Sequence, residues 1–112
     1  MTYERWDVVA VPFPFIEGTE SKRRPALVVS AAALHDRHRV YWTAMITTAK
    51  AGEMPDDIRI SDHLKAGLPE SCVIRPTRMM TLGPAQIDRR LGSIGSKERA
   101  AVLAAIKRFC PG

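Results

Sequence analysis

The apolar residues of this chain occur in short runs of β-forming side chains, and proline, glycine or aspartate separates one run from the next. The first run, Trp6–Val11, is followed by Pro12 and Pro14, which lack the backbone N–H that a central strand donates. The runs that predict further strands are Ala26–Ser30, Arg39–Thr47, Asp57–Ile60, Cys72–Arg75, Arg78–Leu82 and Arg90–Ile94. Many short strands close together predict a small, mainly antiparallel β-barrel or a sandwich.

The last segment of the chain has the spacing of an amphipathic helix. Ser96 stands where an N-cap residue belongs, and Pro111 and Gly112 end the pattern. The apolar positions recur every three or four residues, at Val102, Leu103, Ile106 and Phe109. We therefore predict a mainly β fold, a small antiparallel barrel with one C-terminal helix packed across it, and at most a helical turn near Leu64 or Ala85.

Length and composition favour one folded unit. The chain has 112 residues, of which 46% are hydrophobic and 26% charged, so one domain over residues 1–112 with a modest core is expected. The longest uncharged apolar stretches, residues 8–16 and 25–34, fall short of the roughly 20 residues that a membrane helix needs. Charged residues also interrupt the start of the chain, where a secretory signal would be apolar. No membrane association and a cytoplasmic location are expected.

Basic residues exceed acidic residues and concentrate toward the two ends of the chain. The formal net charge is +5. Residues 71–112 carry eight basic and two acidic groups, whereas residues 51–70 carry two basic and five acidic groups. A basic surface attracts polyanions over a Debye length of about 8–10 Å, so nucleic acid or an acidic protein is a predicted partner. The alternative is a charged surface that only keeps the protein soluble.

Several common catalytic motifs are missing from the sequence, including the phosphate-binding loop GxxxxGK[ST] and the patterns GxGxxG, HExxH and GxSxG. Cys72 and Cys110 form no CxxC pair and have no histidine at zinc-ligand spacing. We therefore expect no metal and no other cofactor, and we favour two unlinked thiols over a single disulfide. His35 and His38 could form a metal-binding or acid–base pair, but a solvated turn between strands is favoured.

The segment Lys22–Ser30 runs from a cationic loop directly into a predicted buried strand. Pro25 fixes its own φ and biases Arg24 toward an extended conformation, so the guanidinium leaves the strand from a defined position. The planar fork of an arginine donates two parallel hydrogen bonds to a phosphate. The preceding loop, residues 17–24, is expected to be exposed and mobile, and the alternative role for its charges is simply to end a hairpin.

Two further places present hydroxyls or cations at a predicted strand end. Thr47 and Thr48 close the third strand, where threonine is otherwise an ordinary β-former. If the second and third strands lie side by side, Thr47 and Arg24 meet at one rim of the barrel. The stretch Arg75-Pro76-Thr77-Arg78 again places an arginine next to a proline at the end of a strand. Together these segments predict one groove for phosphates.

The order of these segments resembles the MazF/PemK family of toxin–antitoxin ribonucleases over about residues 5–109. The matching residues are Asp7-Val8-Val9, Val11, Phe13, Gly18-Thr19-Glu20, the stretch RPALVVS at 24–30, Ile46-Thr47-Thr48 and Val73-Ile74-Arg75, followed by a closing helix. The resemblance implies an SH3-like barrel and a homodimer whose RNA groove spans the subunit interface. It also implies metal-independent, sequence-specific cleavage of single-stranded RNA, usually messenger RNA, which a cognate antitoxin protein holds in check.

The same resemblance implies roles for individual residues. Arg24 is similar to the catalytic arginine of the family, and Thr47 is similar to its catalytic threonine. The residues that the resemblance and their neighbourhood indicate as substrate contacts are Glu20, Arg23, Thr48, Arg75, Thr77 and Arg78. Some members carry an aspartate two positions after the residue that Arg75 matches, and this chain has Thr77 there. The resemblance therefore supplies no carboxylate base from this segment.

Other roles and functions remain compatible with the sequence. Phe13, Phe15 and Trp42 are candidate side chains on which RNA bases would stack, but a place in the core is favoured for each. A non-catalytic SH3-like binding module would use the same basic surface. A gyrase poison of the CcdB type shares the barrel but acts through C-terminal residues that include a tryptophan, which residues 108–112 lack. The expected antitoxin is a small acidic or partly disordered chain.

Overall fold

Six antiparallel strands form one curled sheet, a half-barrel with a helix across it. The structure is a computed structural model, and it describes residues 2–13 and 22–112. The strands are β1 (Asp7–Phe13), β2 (Lys22–Val28), β3 (Tyr41–Thr48), β4 (Ile58–Arg59), β5 (Cys72–Leu82) and β6 (Arg89–Ser93), and the helices are α1 (Ala32–His38) and α2 (Ser96–Phe109). This architecture confirms the predicted antiparallel barrel-like fold with a C-terminal helix.

The order of the strands in the sheet is β4-β5-β3-β2-β1-β6. Strands β1, β2 and β3 are neighbours in sequence and in space, and β6 returns to the free edge of β1. The predicted third strand, the predicted strand at 57–60 and the last predicted strand lie within one or two residues of β3, β4 and β6.

Each face of the curled sheet packs against its own hydrophobic core. The first core is closed by α2, and its central side chains are Val8, Leu27, Ala44, Ile46, Ile74 and Val102. The second core lies on the opposite face and contains Tyr3, Val9, Val11, Ala26, Val28, Tyr41, Leu82 and Ile87. Neighbouring strand residues alternate between the two cores, as the pleat of a strand requires.

Strand β1 runs through Pro12 to Phe13, so the prediction that the first strand ends before the prolines is wrong. Its neighbour β6 ends opposite Ala10, and Pro12 therefore has a strand partner on one side only. A proline is tolerated at such an edge, because its missing N–H breaks no second ladder.

The longer β1 also extends β2. Val11 and Pro12 pair with Arg24 and Arg23, so β2 begins at Lys22, before the predicted strand at 26–30. The two arginines that the sequence suggested for a loop are thereby part of the sheet. This pairing fixes the direction in which each of their side chains leaves the backbone.

Strand β5 is continuous, whereas the sequence predicted two separate strands at 72–75 and 78–82. Arg75 lies opposite Met45 and Met79 lies opposite Ala44, so residues 76–78 of β5 have no partner on β3. These three residues form a β-bulge, which accommodates Pro76 without ending the strand. The proline between the two predicted strands marks an interruption of the ladder rather than a turn.

Helix α1 occupies the segment that was predicted to be a solvated turn. His35 is buried, and its ring stacks on that of Tyr41 at a centroid distance of 4.7 Å. Arg39 ends the helix in the left-handed conformation with a φ of 57°. The prediction failed because a single buried face on two helical turns leaves too short a pattern to recognise.

Helix α2 confirms the C-terminal helix, although two details of the prediction are wrong. Gly95 is the N-cap residue and Ser96 is the first helical residue. Val102 is fully buried, whereas Phe109 is 55% exposed and lies outside the core. Neither described helix is long and apolar enough to cross a membrane.

Candidate functional site

A cavity of about 290 Å³ lies where the ladder between β2 and β3 stops. The last pair of that ladder is Ala26 with Met45. Beyond this pair β2 continues alongside β1, and β3 continues alongside β5, so the two strands no longer pair with each other. Residues 23–25 of β2 and Thr48 of β3 line the cavity. The cavity therefore occupies the gap between the two strand ends.

Three arginines, Arg23, Arg24 and Arg89, line this cavity. Arg23 donates to Asp88 at 2.6 Å, an exposed ion pair that water and salt screen. Apart from Thr48, Glu70 and Cys72, the remaining lining residues are apolar or glycine. The cavity thus combines an apolar wall with an excess of positive charge, which suits an anionic ligand that also has a flat apolar face.

The side chain of Arg24 contains the buried polar atom without a hydrogen-bond partner among the residues that the structure describes. That atom is Nε, and the residue as a whole is half-buried. A buried donor without an acceptor is destabilising, so such groups usually have a partner in the functional state. A phosphate oxygen is the acceptor for which a guanidinium fork is best suited.

The register of the sheet relates Arg24 to Thr47. Continuing the β2–β3 register two residues past its last pair places Arg24 opposite Thr47, on the face that Ala26 and Met45 share. Directly opposed residues on one face of a sheet have Cβ atoms about 5 Å apart where the strands still pair, and somewhat more where they part. Thr48 points to the other face by the same alternation. Thr47 does not line the cavity, whereas Arg24 does, so the structure places the two residues near neighbouring strand ends and on one face of the sheet by the extended register.

The structure does not bring Arg75 to this cavity. Its Nε and Nη2 atoms donate to the two carboxylate oxygens of Asp57 at 3.1 and 3.0 Å, and Nη2 also donates to the Gly52 carbonyl. The hydrogen bonds that Arg75 donates to Asp57 raise the pKa of Arg75. Burial alone would raise the pKa of Asp57, but the hydrogen bonds from Arg75 and from the backbone N–H of Met54 lower it. Arg75 therefore anchors the loop before β4.

Thr77 and Arg78 lie in the bulge of β5, and both are exposed. They are separated from the cavity by the paired part of β5, and no described contact joins them to it. Glu20 and Phe15 lie outside the described residues, as does the side chain of Phe13. Of the six suggested substrate contacts, only Arg23 and Thr48 line the cavity.

Trp42 is 54% exposed and therefore does not belong to the core. It lines a separate open groove of about 560 Å³ whose other apolar side chains include Leu34, Met79 and Ile106. Trp42 and Thr47 are five residues apart on β3, which corresponds to roughly 17 Å along a strand. The tryptophan is consequently not a wall of the cavity beside Arg24.

The sequence reasoning missed Glu70, Arg89 and Leu91, which line the cavity from the loop before β5 and from β6. Gly67 brings this loop against β6, because its φ is +77° and a Cβ there would lie 2.1 Å from the carbonyl oxygen of Leu91. The turn residues Gly67 and Pro69 were a signal for a loop. They gave no signal for where the loop would pack.

Cys72 is the one thiol that lines the cavity among the described residues. Burial raises the pKa of this thiol, and the nearby carboxylate of Glu70 raises it further. A protonated thiol is a poor nucleophile, so Cys72 does not supply covalent catalysis at neutral pH. Within residues 2–13 and 22–112, His, Cys, Asp and Glu side chains form no group of three that could hold a metal ion.

Comparisons with known proteins agree with the observed fold. The model of a family described as the PemK-like, MazF-like toxins of type II toxin–antitoxin systems matches residues 4–110. A MazF structure from Deinococcus radiodurans superposes with a TM-score of 0.76 at 21% identity and covers 97% of this chain and 96% of its own. A MazE–MazF structure from the same organism gives 0.76 at 19% identity, with 99% and 97% covered.

A mycobacterial endoribonuclease in complex with its cognate antitoxin is a further structural match. Its TM-score is 0.72 at 18% identity, and the match covers 95% of this chain and 90% of that one. At these identities the likeness establishes the fold. No curated protein sequence matches the chain.

Proposed function

Because the chain belongs to the family of PemK-like, MazF-like toxins of type II toxin–antitoxin systems, we propose that it is an endoribonuclease that cleaves single-stranded RNA. The observation that carries the proposal is the buried Nε of Arg24, which has no hydrogen-bond partner among the described residues, at the gap where β2 and β3 part. Extending the register across that gap places Thr47 opposite Arg24. A phosphodiester in that gap would satisfy the arginine. Structural relatives that are endoribonucleases support the reaction class.

The chemistry needs no nucleophile from the protein, because RNA carries its own. The 2′-oxygen adjacent to the cut attacks phosphorus and loses its proton to a base, while the bond from phosphorus to the 5′-oxygen breaks and that oxygen takes up a proton. The products are a 2′,3′-cyclic phosphate and a 5′-hydroxyl end. DNA lacks the 2′-hydroxyl and is not cleaved.

Within this reaction Arg24 stabilises the charge that builds on the phosphoryl oxygens, and Thr47 orients the phosphate. A preorganised donor of this kind contributes on the order of 10²–10³ in rate. Arg24 is an unfavourable proton donor, since the pKa of a guanidinium exceeds about 12. No metal ion takes part in the proposed steps. Arg23 and Thr48 contact the same substrate from the cavity wall.

The remaining suggested contacts have different roles in this proposal. Thr77 and Arg78 are exposed on the β5 bulge and bind nucleotides farther along the RNA. Glu20, which lies outside the described residues, is a further contact in this proposal. Arg75 is held by Asp57 and anchors the loop before β4 instead of touching the phosphate. The target is messenger RNA in the cytoplasm, and its sequence-specific cleavage stops translation and growth.

The partners of the protein follow from its charge and its exposed apolar surface. The basic cavity favours an acidic antitoxin segment, and solved relatives include a MazE–MazF complex. Trp42 and Met79 are 54% and 44% exposed in the larger groove, and burying this groove against a second copy would form the homodimer. Light scattering of Trp42→Glu tests the interface, and a variant that stays dimeric would contradict it. Co-purification of an acidic partner tests the antitoxin.

The decisive experiment incubates the purified protein with a pool of transcripts in excess EDTA and maps new 5′-hydroxyl ends. We expect discrete cuts in single-stranded regions, which Arg24→Ala abolishes and Arg37→Ala, on an exposed arginine of α1, leaves intact. Uncut RNA across varied sequences would favour the binding module. Inhibition of gyrase by a protein that does not cut RNA would favour the CcdB-type activity.

A further inference from the structure

The cavity beside Arg24 contains one carboxylate among three arginines. Glu70 contributes it from the loop before β5, and its side chain is 44% exposed. The negative charge of Glu70 raises the pKa of the Cys72 thiol, which lines the same cavity. The carboxylate is therefore close enough to interact electrostatically with a ligand there. Its only described ion pair is a long contact of 3.8 Å to the fully solvated Lys50. Glu70 is therefore available to accept hydrogen bonds from a ligand.

The shape of the cavity limits what that ligand is. Residues 23, 24 and 25 alternate in direction along β2, and all three line the cavity, so the cavity spans the end of the strand beside Arg24. A volume of about 290 Å³ lies at the lower end of the range for ligand pockets, which is about 300 Å³. It admits one nucleotide unit rather than a longer segment.

The chemistry of the wall matches a nucleobase. Pro25, Pro69 and Leu91 offer flat or apolar surfaces for the faces of a ring. Arg24 and Arg89 offer donors and guanidinium planes, and proteins that bind unpaired RNA stack bases on such planes. A carboxylate only accepts hydrogen bonds. The base that fits best therefore presents two adjacent donors on one edge, together with acceptors on another.

We propose that this cavity binds the base of one nucleotide flanking the cut phosphate and that Glu70 makes guanine the preferred base. Guanine donates from N1 and from its 2-amino group to the two oxygens of Glu70, and its O6 and N7 accept from an arginine. Uracil and cytosine place a carbonyl or ring nitrogen against the carboxylate, and adenine has an acceptor at N1. The inference rests on the ribonuclease activity proposed above and names a specificity determinant for that site.

The test compares guanine with inosine, which lacks only the 2-amino group. Cut sites are first mapped in a randomised RNA pool, where guanine should be enriched at one fixed position beside the cut. In a defined substrate, replacing that guanine by inosine should slow cleavage by the wild-type protein about 5- to 150-fold. The near-isosteric Glu70→Gln should lose most of this difference. Glu53→Gln, an exposed acidic residue paired with Arg59 away from the cavity, should retain it.

A single strand made wholly of 2′-deoxy nucleotides, which needs no known cut site, separates this inference from the proposed activity. It binds but cannot be cleaved, so the preference for guanine over inosine is measured as an affinity. A preference that depends on Glu70 supports the base pocket even if no RNA is cut, in which case only the proposed activity fails. Cleavage with no guanine enrichment, or an equal inosine effect in wild type and Glu70→Gln, overturns the base pocket. A Glu70→Gln variant that changes only antitoxin affinity also overturns it.

Discussion

Replacing Arg24 by methionine should reduce activity and raise stability at the same time. Methionine keeps an apolar stem of similar reach but removes the buried Nε, which has no partner among the described residues. An unsatisfied buried donor costs about 1–3 kcal/mol, and the lower end applies because Arg24 is half-buried. For a domain of this size a gain of about 1 kcal/mol raises Tm by roughly 3–6 °C.

The catalytic effect of the same substitution is larger. Loss of a donor aimed at the phosphoryl oxygens should slow single-turnover cleavage on the order of 10²–10³-fold. The assay pairs thermal unfolding with single-turnover rates on one defined RNA. Arg37→Met, which removes an exposed arginine of α1, serves as the matched control and should change neither quantity.

Either of two results would refute this reasoning. A Tm that falls by several degrees in Arg24→Met would mean that the guanidinium stabilises the folded protein and is not an unsatisfied donor that only a ligand pairs. A cleavage rate that stays within a factor of about two of the wild type would place the site elsewhere, since a charge-stabilising donor contributes far more than that. The combination of lower activity and higher Tm is what a preorganised, unsatisfied group produces.

Three further sets of substitutions test the candidate site and the fold that supports it. Thr47→Val should slow cleavage about tenfold at saturating RNA, whereas Thr48→Val should mainly raise KM. Equal effects of the two substitutions on the rate would contradict the placement of Thr47 and Thr48 on opposite faces of the sheet. Gly67→Ala should destabilise the protein by about 2–5 kcal/mol in urea unfolding, because the added Cβ would overlap a backbone carbonyl of β6. The control variant Gly52→Ala has open space around its Cβ and should cost only about 1–2 kcal/mol. Burial alone would raise the pKa of Glu98, but hydrogen bonds from the backbone N–H and the hydroxyl of Ser61 lower it below its ordinary 4.5. The stability that the Glu98 carboxylate contributes is therefore present above that value and is lost as pH falls through the lowered pKa. The unfolding free energy of Glu98→Gln should therefore fall less between pH 6 and pH 3 than that of the wild type, and parallel curves would contradict this assignment.

The parts of the fold that the sequence predicted are those whose signals are local. The apolar run at 26–30 identified β2, although β2 begins four residues earlier at Lys22, and the helical spacing around Val102 identified α2. The continuity of β5 depends on its pairing with β3 on both sides of Pro76, which no pattern within β5 encodes. Helix α1 is held by the stacking of His35 on Tyr41, a tertiary contact.

The residues of the candidate site also divide into those with a local sequence signal and those placed only by tertiary contacts. Arg24, Thr47 and Thr48 are adjacent to recognisable strand ends, and the order of the strands makes β2 and β3 neighbours. Glu70 and Leu91 reach the cavity only because the loop around Gly67 packs against β6, 24 residues farther along the chain at Leu91. Arg75 looked equivalent to Arg24 in sequence, since each precedes a proline. Its guanidinium is instead taken by Asp57, which pairs with it across the end of the β4–β5 ladder.

The bulge in β5 gives this sheet an unusual freedom. Residues 76–78 leave and rejoin the ladder without altering the partners on either side, since Met45 still meets Arg75 and Ala44 still meets Met79. The number and identity of the bulged residues are therefore decoupled from the alignment of the strands. A substitution confined to residues 77–78 is therefore expected to change the surface exposed there without changing the partner of Met45 or of Ala44.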